Sequence, residues 1–205
     1  MAQKSIIQSN LGFILKSIIL SLSLVLTSHA SDSNFSKNIN FIHNNKPLAL
    51  FLTGSTTRQK FFLNIYSMAH YVEQQPTILD NDIYKNILQH SGAKQISMVF
   101  SRNLSSDQIQ KALIEGIKLN TTEDEYLQIQ PQVKEFMLAI YKDVNQNDSF
   151  IIRWLPDGTL VSIFKGKQVS AINNALFAKT LWSIWLGDQS IVNREALIDK
   201  LLTSS

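Results

Sequence analysis

The order in which two hydrophobic periods succeed one another constrains the fold of this chain most. Alternating stretches come first, helical spacings fill the middle, alternation returns, and helical spacing closes the sequence. Strands that do not take turns with helices cannot be βαβ units, so the pattern predicts an α+β protein built on an antiparallel sheet.

In "NINFIH" the apolar Ile39 and Phe41 alternate with polar neighbours, and Asn44-Asn45 predicts a hairpin into "KPLALFLTG". A polar turn carrying Arg58 follows, then a strand from Phe61 to Val72 that is apolar on both parities and therefore central to the sheet. Residues 80–90 space Ile83, Ile87 and Leu88 as a helix does, and Lys94 to Arg102 reads as a strand. Ser105 and Gln108 form a capping box before a helix striped by Ile109, Leu113, Ile114 and Ile117. Thr122 to Gln128 reads as a short helix, and Pro131 as the start of another that carries Val133, Phe136, Met137, Ile140 and Tyr141. Pro156-Asp157-Gly158 turns a further hairpin, Gly166 leads into a short strand, and helix Asn173 to Leu186 stops at Gly187. Leu197, Ile198, Leu201 and Leu202 mark a last helix.

The first 30 residues have another character. Lys4 and Lys16 precede the apolar run Ile18 to Leu26, and Ser28-His29-Ala30 supplies small residues where a signal peptidase reads. The run is shorter than the ~20 apolar residues of a membrane span. Residues 1–30 are therefore expected to be a signal peptide and residues 31–205 a single domain, periplasmic or secreted, with no stable membrane span once the leader is removed. Removing Lys4 and Lys16 takes the net charge from +3 to +1, which gives no nucleic-acid signature. The sequence has no cysteine, so neither disulfides nor thiolate metal sites can hold the fold together.

Little in the sequence points to metal or triad chemistry. His43, His70 and His90 lack partners at ligand spacing, and there is no HExxH, GxSxG or paired-carboxylate motif, so no metal and no cofactor are expected. "TGSTTRQK" lacks the second glycine and the lysine-hydroxyl pair of a phosphate loop. Arg58 and Tyr66 lie eight residues apart. If one strand ran through both, they would share a face with Phe62 between them, and a guanidinium and a phenol on an apolar surface can hold a carboxylate or phenolate. The alternative leaves Arg58 as a solvated turn charge beside Lys60 and Tyr66 as a core tyrosine bonded to a backbone carbonyl.

"FLTGSTTRQKFFLNIYSMAHYVE", "ISMVFSRNLSSDQIQKALIEGIKLN", "DGTLVSIFKGKQVSAINNALFAKTLWSIWLG" and "REALIDKLL" together resemble the bacterial chalcone isomerase-like family, from about Leu48 to Leu202. The resemblance implies an open-faced β-sandwich: a large antiparallel sheet, helices packed on one face, and a ligand cleft between them. Plant members of this fold cyclise chalcones, and related plastid proteins bind fatty acids. By position Arg58 resembles the arginine that contacts the ligand's anionic end in both branches. Tyr66 resembles the tyrosine of the fatty-acid binders. The cyclising enzymes add a lysine, a tyrosine and an asparagine; this sequence stands with Ile109 and Gly116 near the latter two positions and offers no equivalent lysine.

Three functions follow as expectations. The first is binding of a small apolar or aromatic carboxylate, fatty-acid-like, through Arg58, Tyr66 and Phe62. The second is an intramolecular lyase or isomerase acting on a phenolic or enone substrate, with Arg58 stabilising an oxyanion and Tyr66 moving a proton. The third is a ligand-free interaction protein whose Trp154, Trp182 and Trp185 are core or docking surface.

Overall fold

A computed structural model describes residues 35–74 and 82–202. The expected signal peptide, residues 1–30, lies outside them. Seven strands form one antiparallel sheet in sequence order: β1 (Asn38–His43), β2 (Lys46–Lys60), β3 (Leu63–Val72), β4 (Lys94–Phe100), β5 (Ser149–Trp154), β6 (Thr159–Phe164) and β7 (Lys167–Asn173). The helices are α1 (Ile83–Gln89), α2 (Ser106–Leu119), α3 (Glu123–Ala139), α4 (Ala175–Leu186) and α5 (Asp199–Leu202). The expected α+β class and antiparallel sheet are what the chain forms.

A hydrophobic cluster lies on each face of the sheet, and β3 contributes to both. On β4, Ile96, Met98 and Phe100 enter the main cluster with Phe150 and Ile152 of β5 and with Phe177, Trp182 and Trp185 of α4. The opposite face carries a smaller cluster of Leu50, Leu52, Ala69 and Tyr71, joined by Ile39 and Phe41. The even and odd positions of β3 are thus both buried, as its weak alternation predicts.

The sheet curls toward that second face. In a flat sheet β1 and β5 would stand about 19 Å apart, four strand spacings. Yet the Arg153 guanidinium of β5 lies 3.7 Å from the ring centre of Phe41 on β1. His43, at the end of β1, reaches within 3.4 Å of Asp157 in the β5–β6 turn. Twist has folded the first hairpin over the outer face.

Two details correct the sequence reading. Arg58 is not in a turn: β2 is 15 residues long and continues through "TGSTTR" to Lys60. The reversal comes at Phe61-Phe62, with φ values of 50° and 66°. Gly54 sits at a break in the β2–β3 register, so the polar stretch is a bulged strand and not a loop. Likewise, residues 122–141 hold one helix where two were expected. Thr122 and Glu125 close a capping box, and Pro131 lies inside α3. Burial of Ile129 before the proline and of Val133, Phe136 and Met137 after it holds both halves on the same core, which offsets the lost backbone bond.

Three two-residue hairpin turns among the described residues place both central residues at positive φ: Asn44-Asn45, Phe61-Phe62 and Lys165-Gly166. Asparagine and glycine tolerate this region; an aromatic side chain there costs roughly 1 kcal/mol or more.

Candidate functional site

Arg58 and Tyr66 are brought together across the hairpin and not along one strand, because they are register partners on β2 and β3. Phe62 is separated from them. It occupies the tip of the hairpin with its side chain fully exposed, since the turn falls where an unbroken strand was assumed.

Tyr66 points into the helical side. Its ring packs edge-on against Phe100, with centroids 5.9 Å apart, and its hydroxyl accepts a hydrogen bond from Trp185 Nε1 at 2.9 Å. Burial pushes the phenol up to about 12, with the Trp185 bond and the Arg58 charge pulling the other way. The phenol is therefore neutral at physiological pH, and its own proton has no acceptor among the described residues. Arg58 is half-buried and donates from Nη1 to the backbone carbonyl of Ile191, in the segment between α4 and α5, at 2.5 Å. A cation and a proton-bearing phenol thus stand side by side, both partly buried.

Next to this pair lies an apolar cleft of about 400 Å3 between the ends of α2 and α3 and strands β4 to β7. Phe100, Ile109, Ile140, Phe150, Phe164 and Val169 form its walls. Its polar end carries Lys142, Lys165 and Lys167. Lys165 is tied to Asp148 at 2.8 Å. Neither Arg58 nor Tyr66 lines this cleft; the Phe100 ring is the partition between them. A second hollow of about 510 Å3, at Phe51, Val72 and Lys200, adjoins Gln74, where the described residues stop.

The positions that depart from the cyclising enzymes have clear local roles. Ile109 is cleft wall, and Gly116 is where α2 crosses α4: a Cβ added there would stand 3.0 Å from Ile184. Sequence reasoning missed Phe100 and the Trp185 bond to Tyr66. Both are apolar residues of regular elements whose meeting depends on how α4 lies across the sheet. Trp154, Trp182 and Trp185 are all core residues, with Trp154 and Trp182 packed edge-on at 5.7 Å.

An open antiparallel sheet with helices on one face and a cleft between the layers defines an open-faced β-sandwich. The chain belongs to the chalcone isomerase-like family, whose model matches residues 31–203. Among solved structures it is similar to a fatty-acid binding protein from Arabidopsis thaliana, with a TM-score of 0.62 and 12% identity over 81% of this chain and 97% of that one. At that identity the likeness speaks to the fold alone. No curated protein sequence matches the chain.

Proposed function

We propose that this protein is exported and binds a small apolar carboxylate, fatty-acid-like, with its head group at Arg58 and Tyr66 and its chain in the apolar cleft. The observation that carries this reading is the cross-strand pairing of a cation with a proton-bearing phenol, one aromatic ring away from a cleft of about 400 Å3. That volume falls in the ~300–1,000 Å3 range of small-molecule sites. The structurally similar protein, a fatty-acid binding protein by name, shows that a fold of this kind can hold such a ligand. Loading requires Arg58 to exchange the Ile191 carbonyl for the carboxylate and the Phe100 ring to swing aside. Each methylene then buried contributes about 0.8 kcal/mol. Phe62, at the exposed tip, takes no part in the site.

The lyase reading uses the same pair, but Ile109 stands in the cleft wall near the position where the cyclising enzymes carry a tyrosine, so that hydroxyl is missing here.

Calorimetry with laurate tests the binding. Arg58→Ala is expected to weaken it by one to two powers of ten, the worth of about 1.5–3 kcal/mol for a charged hydrogen bond, and Tyr66→Phe by several-fold. Equal affinities for wild type and Arg58→Ala, or no binding to either, would sink the proposal. The export half is supported by the leader pattern and by a family match that begins at residue 31. Sequencing the N-terminus of protein recovered from the producing cells should read Ser31; a start within the first 30 residues would remove that half.

A further inference from the structure

The β2–β3 hairpin ends in a tip that serves neither fold stability nor the proposed ligand site. Phe61 is 83% exposed, Phe62 101% and Leu63 51%. Two consecutive phenylalanines occupy left-handed positions that this chain elsewhere gives to Asn44-Asn45 and Lys165-Gly166. A turn that keeps the wrong residues for its backbone, and leaves both rings in water, is retained for something other than folding.

The surroundings identify what covers it. The tip is convex. Three side chains at ~200 Å2 or less each fall short of the ~800 Å2 per partner of a stable protein interface. A lipid surface needs no such area, because aromatic rings partition singly into the bilayer interface. Lys60 stands beside the tip, its ammonium 5.9 Å from the Phe61 ring centre. Behind it the Gln59 amide donates to Asn64 at 2.8 Å, a polar collar that closes the apolar zone. Apolar point, cation and amide collar follow one another as the interior, the charged surface and the aqueous side of an anionic membrane do.

We propose that the Phe61-Phe62-Leu63 tip, flanked by Lys60, is an anchor that inserts this protein into an anionic phospholipid surface. Arg58 lies three residues before the turn and Tyr66 four after it, the register shift making up the difference, which sets the pair about 10 Å along the hairpin at ~3.3 Å per residue. Insertion to the ~5–10 Å typical of interfacial anchors brings that pair to head-group level, where a membrane-borne carboxylate would meet it. The anchoring itself stands without the binding reading; only the delivery of a ligand rests on it.

A reporter at the tip tests the anchor. In Phe62→Trp, adding vesicles of 30% anionic phospholipid should shift the new tryptophan's emission to the blue, and acyl-brominated lipids should quench it. Zwitterionic vesicles should do so at least about fivefold less effectively, and adding Lys60→Gln should lower anionic-vesicle affinity by about the same factor. In parallel, Phe61→Asn with Phe62→Gly installs the residues a turn of this kind prefers. That variant should melt higher than wild type, keep its laurate affinity, and lose at least tenfold in vesicle partitioning. Emission unmoved by anionic vesicles overturns the proposal. So does a dimer in sedimentation that the double variant abolishes while vesicle binding is absent, since the tip then belongs to a second copy. Laurate binding lost with vesicle binding intact would count against the cleft reading alone.

Discussion

Gly54→Ala will lower the stability of the domain by about 3 kcal/mol or more, seen as a fall of roughly 6–12 °C in melting temperature. Gly54 sits at the bulge of β2, and the segment entering α5 passes directly over it. A Cβ built there would overlap the carbonyl oxygen of Ala196 and lie 2.7 Å from the backbone carbon of Leu197. Neither contact is the end of a flexible side chain, so relief requires the backbone to move. Thr53 is involved as well: its hydroxyl donates at 2.7 Å to the Leu197 carbonyl, and Leu197 is fully buried. Displacing this crossing would therefore cost a buried hydrogen bond in addition to the clash. Wild-type melting in Gly54→Ala would mean that the C-terminal segment does not cross β2 at this point.

Lys94→Met is expected to act in the opposite direction and to stabilise the protein at neutral pH by about 2 kcal/mol. Lys94 is 1% exposed, on the helix-facing side of β4. Its ammonium lies 3.9 Å from the ring centre of Trp154 and donates to the carbonyl of His90. Burial pulls it down to about 7 from 10.5. At 1.36 kcal/mol per unit this is a penalty of roughly 5 kcal/mol at neutral pH, of which up to ~3 is lost again in the variant because the His90 carbonyl is left without its donor. Methionine keeps the shape and packs its sulfur on the ring. The sign of the pH dependence follows. Above 10.5 the lysine is neutral in both folded and unfolded chains and costs nothing. As pH falls toward 7 the unfolded chain takes up the proton first, so stability declines across that window and levels off below it. Chemical denaturation at pH 7 and pH 10 should show this slope in wild type and lose it in Lys94→Met; identical slopes would refute the assignment.

His70 adds a second, acid window. It is fully buried, with Nδ1 2.7 Å from the Thr53 hydroxyl, and burial reinforced by the Lys94 charge pulls it down to about 3 from 6.5. The unfolded chain binds a proton between these values and the folded chain does not, so stability should fall as pH drops from about 6.5 to 3. His70→Gln should flatten that limb, as acid titration followed by circular dichroism would record.

The local punctuation of this fold is legible in the residues themselves. Asn44-Asn45 turns where two tolerant residues meet, Ser105 with Gln108 caps α2, and Gly187 ends α4. Such signals act within four residues, so a short stretch of chain carries them whole. The two misreadings share a different cause. "TGSTTR" looks like a loop because its residues are small and polar, and Pro131 looks like a helix start because proline disfavours helix interiors. Each is overruled by packing from afar, the C-terminal segment lying on Gly54 and the main core holding both halves of α3.

The candidate site divides the same way. Sequence determined the residue types, the antiparallel class of the sheet and the donors that Arg58 and Tyr66 can offer an anion, since these follow from period, turn chemistry and the side chains' own groups. Tertiary structure decided that the two are neighbours across a hairpin, that Phe62 stands outside at the tip, that Phe100 walls the pair from the cleft, and that Trp185 and Ile191 hold the phenol and the guanidinium. The reason is that those contacts join residues up to 133 positions apart, and nothing in a local pattern specifies which distant element will arrive.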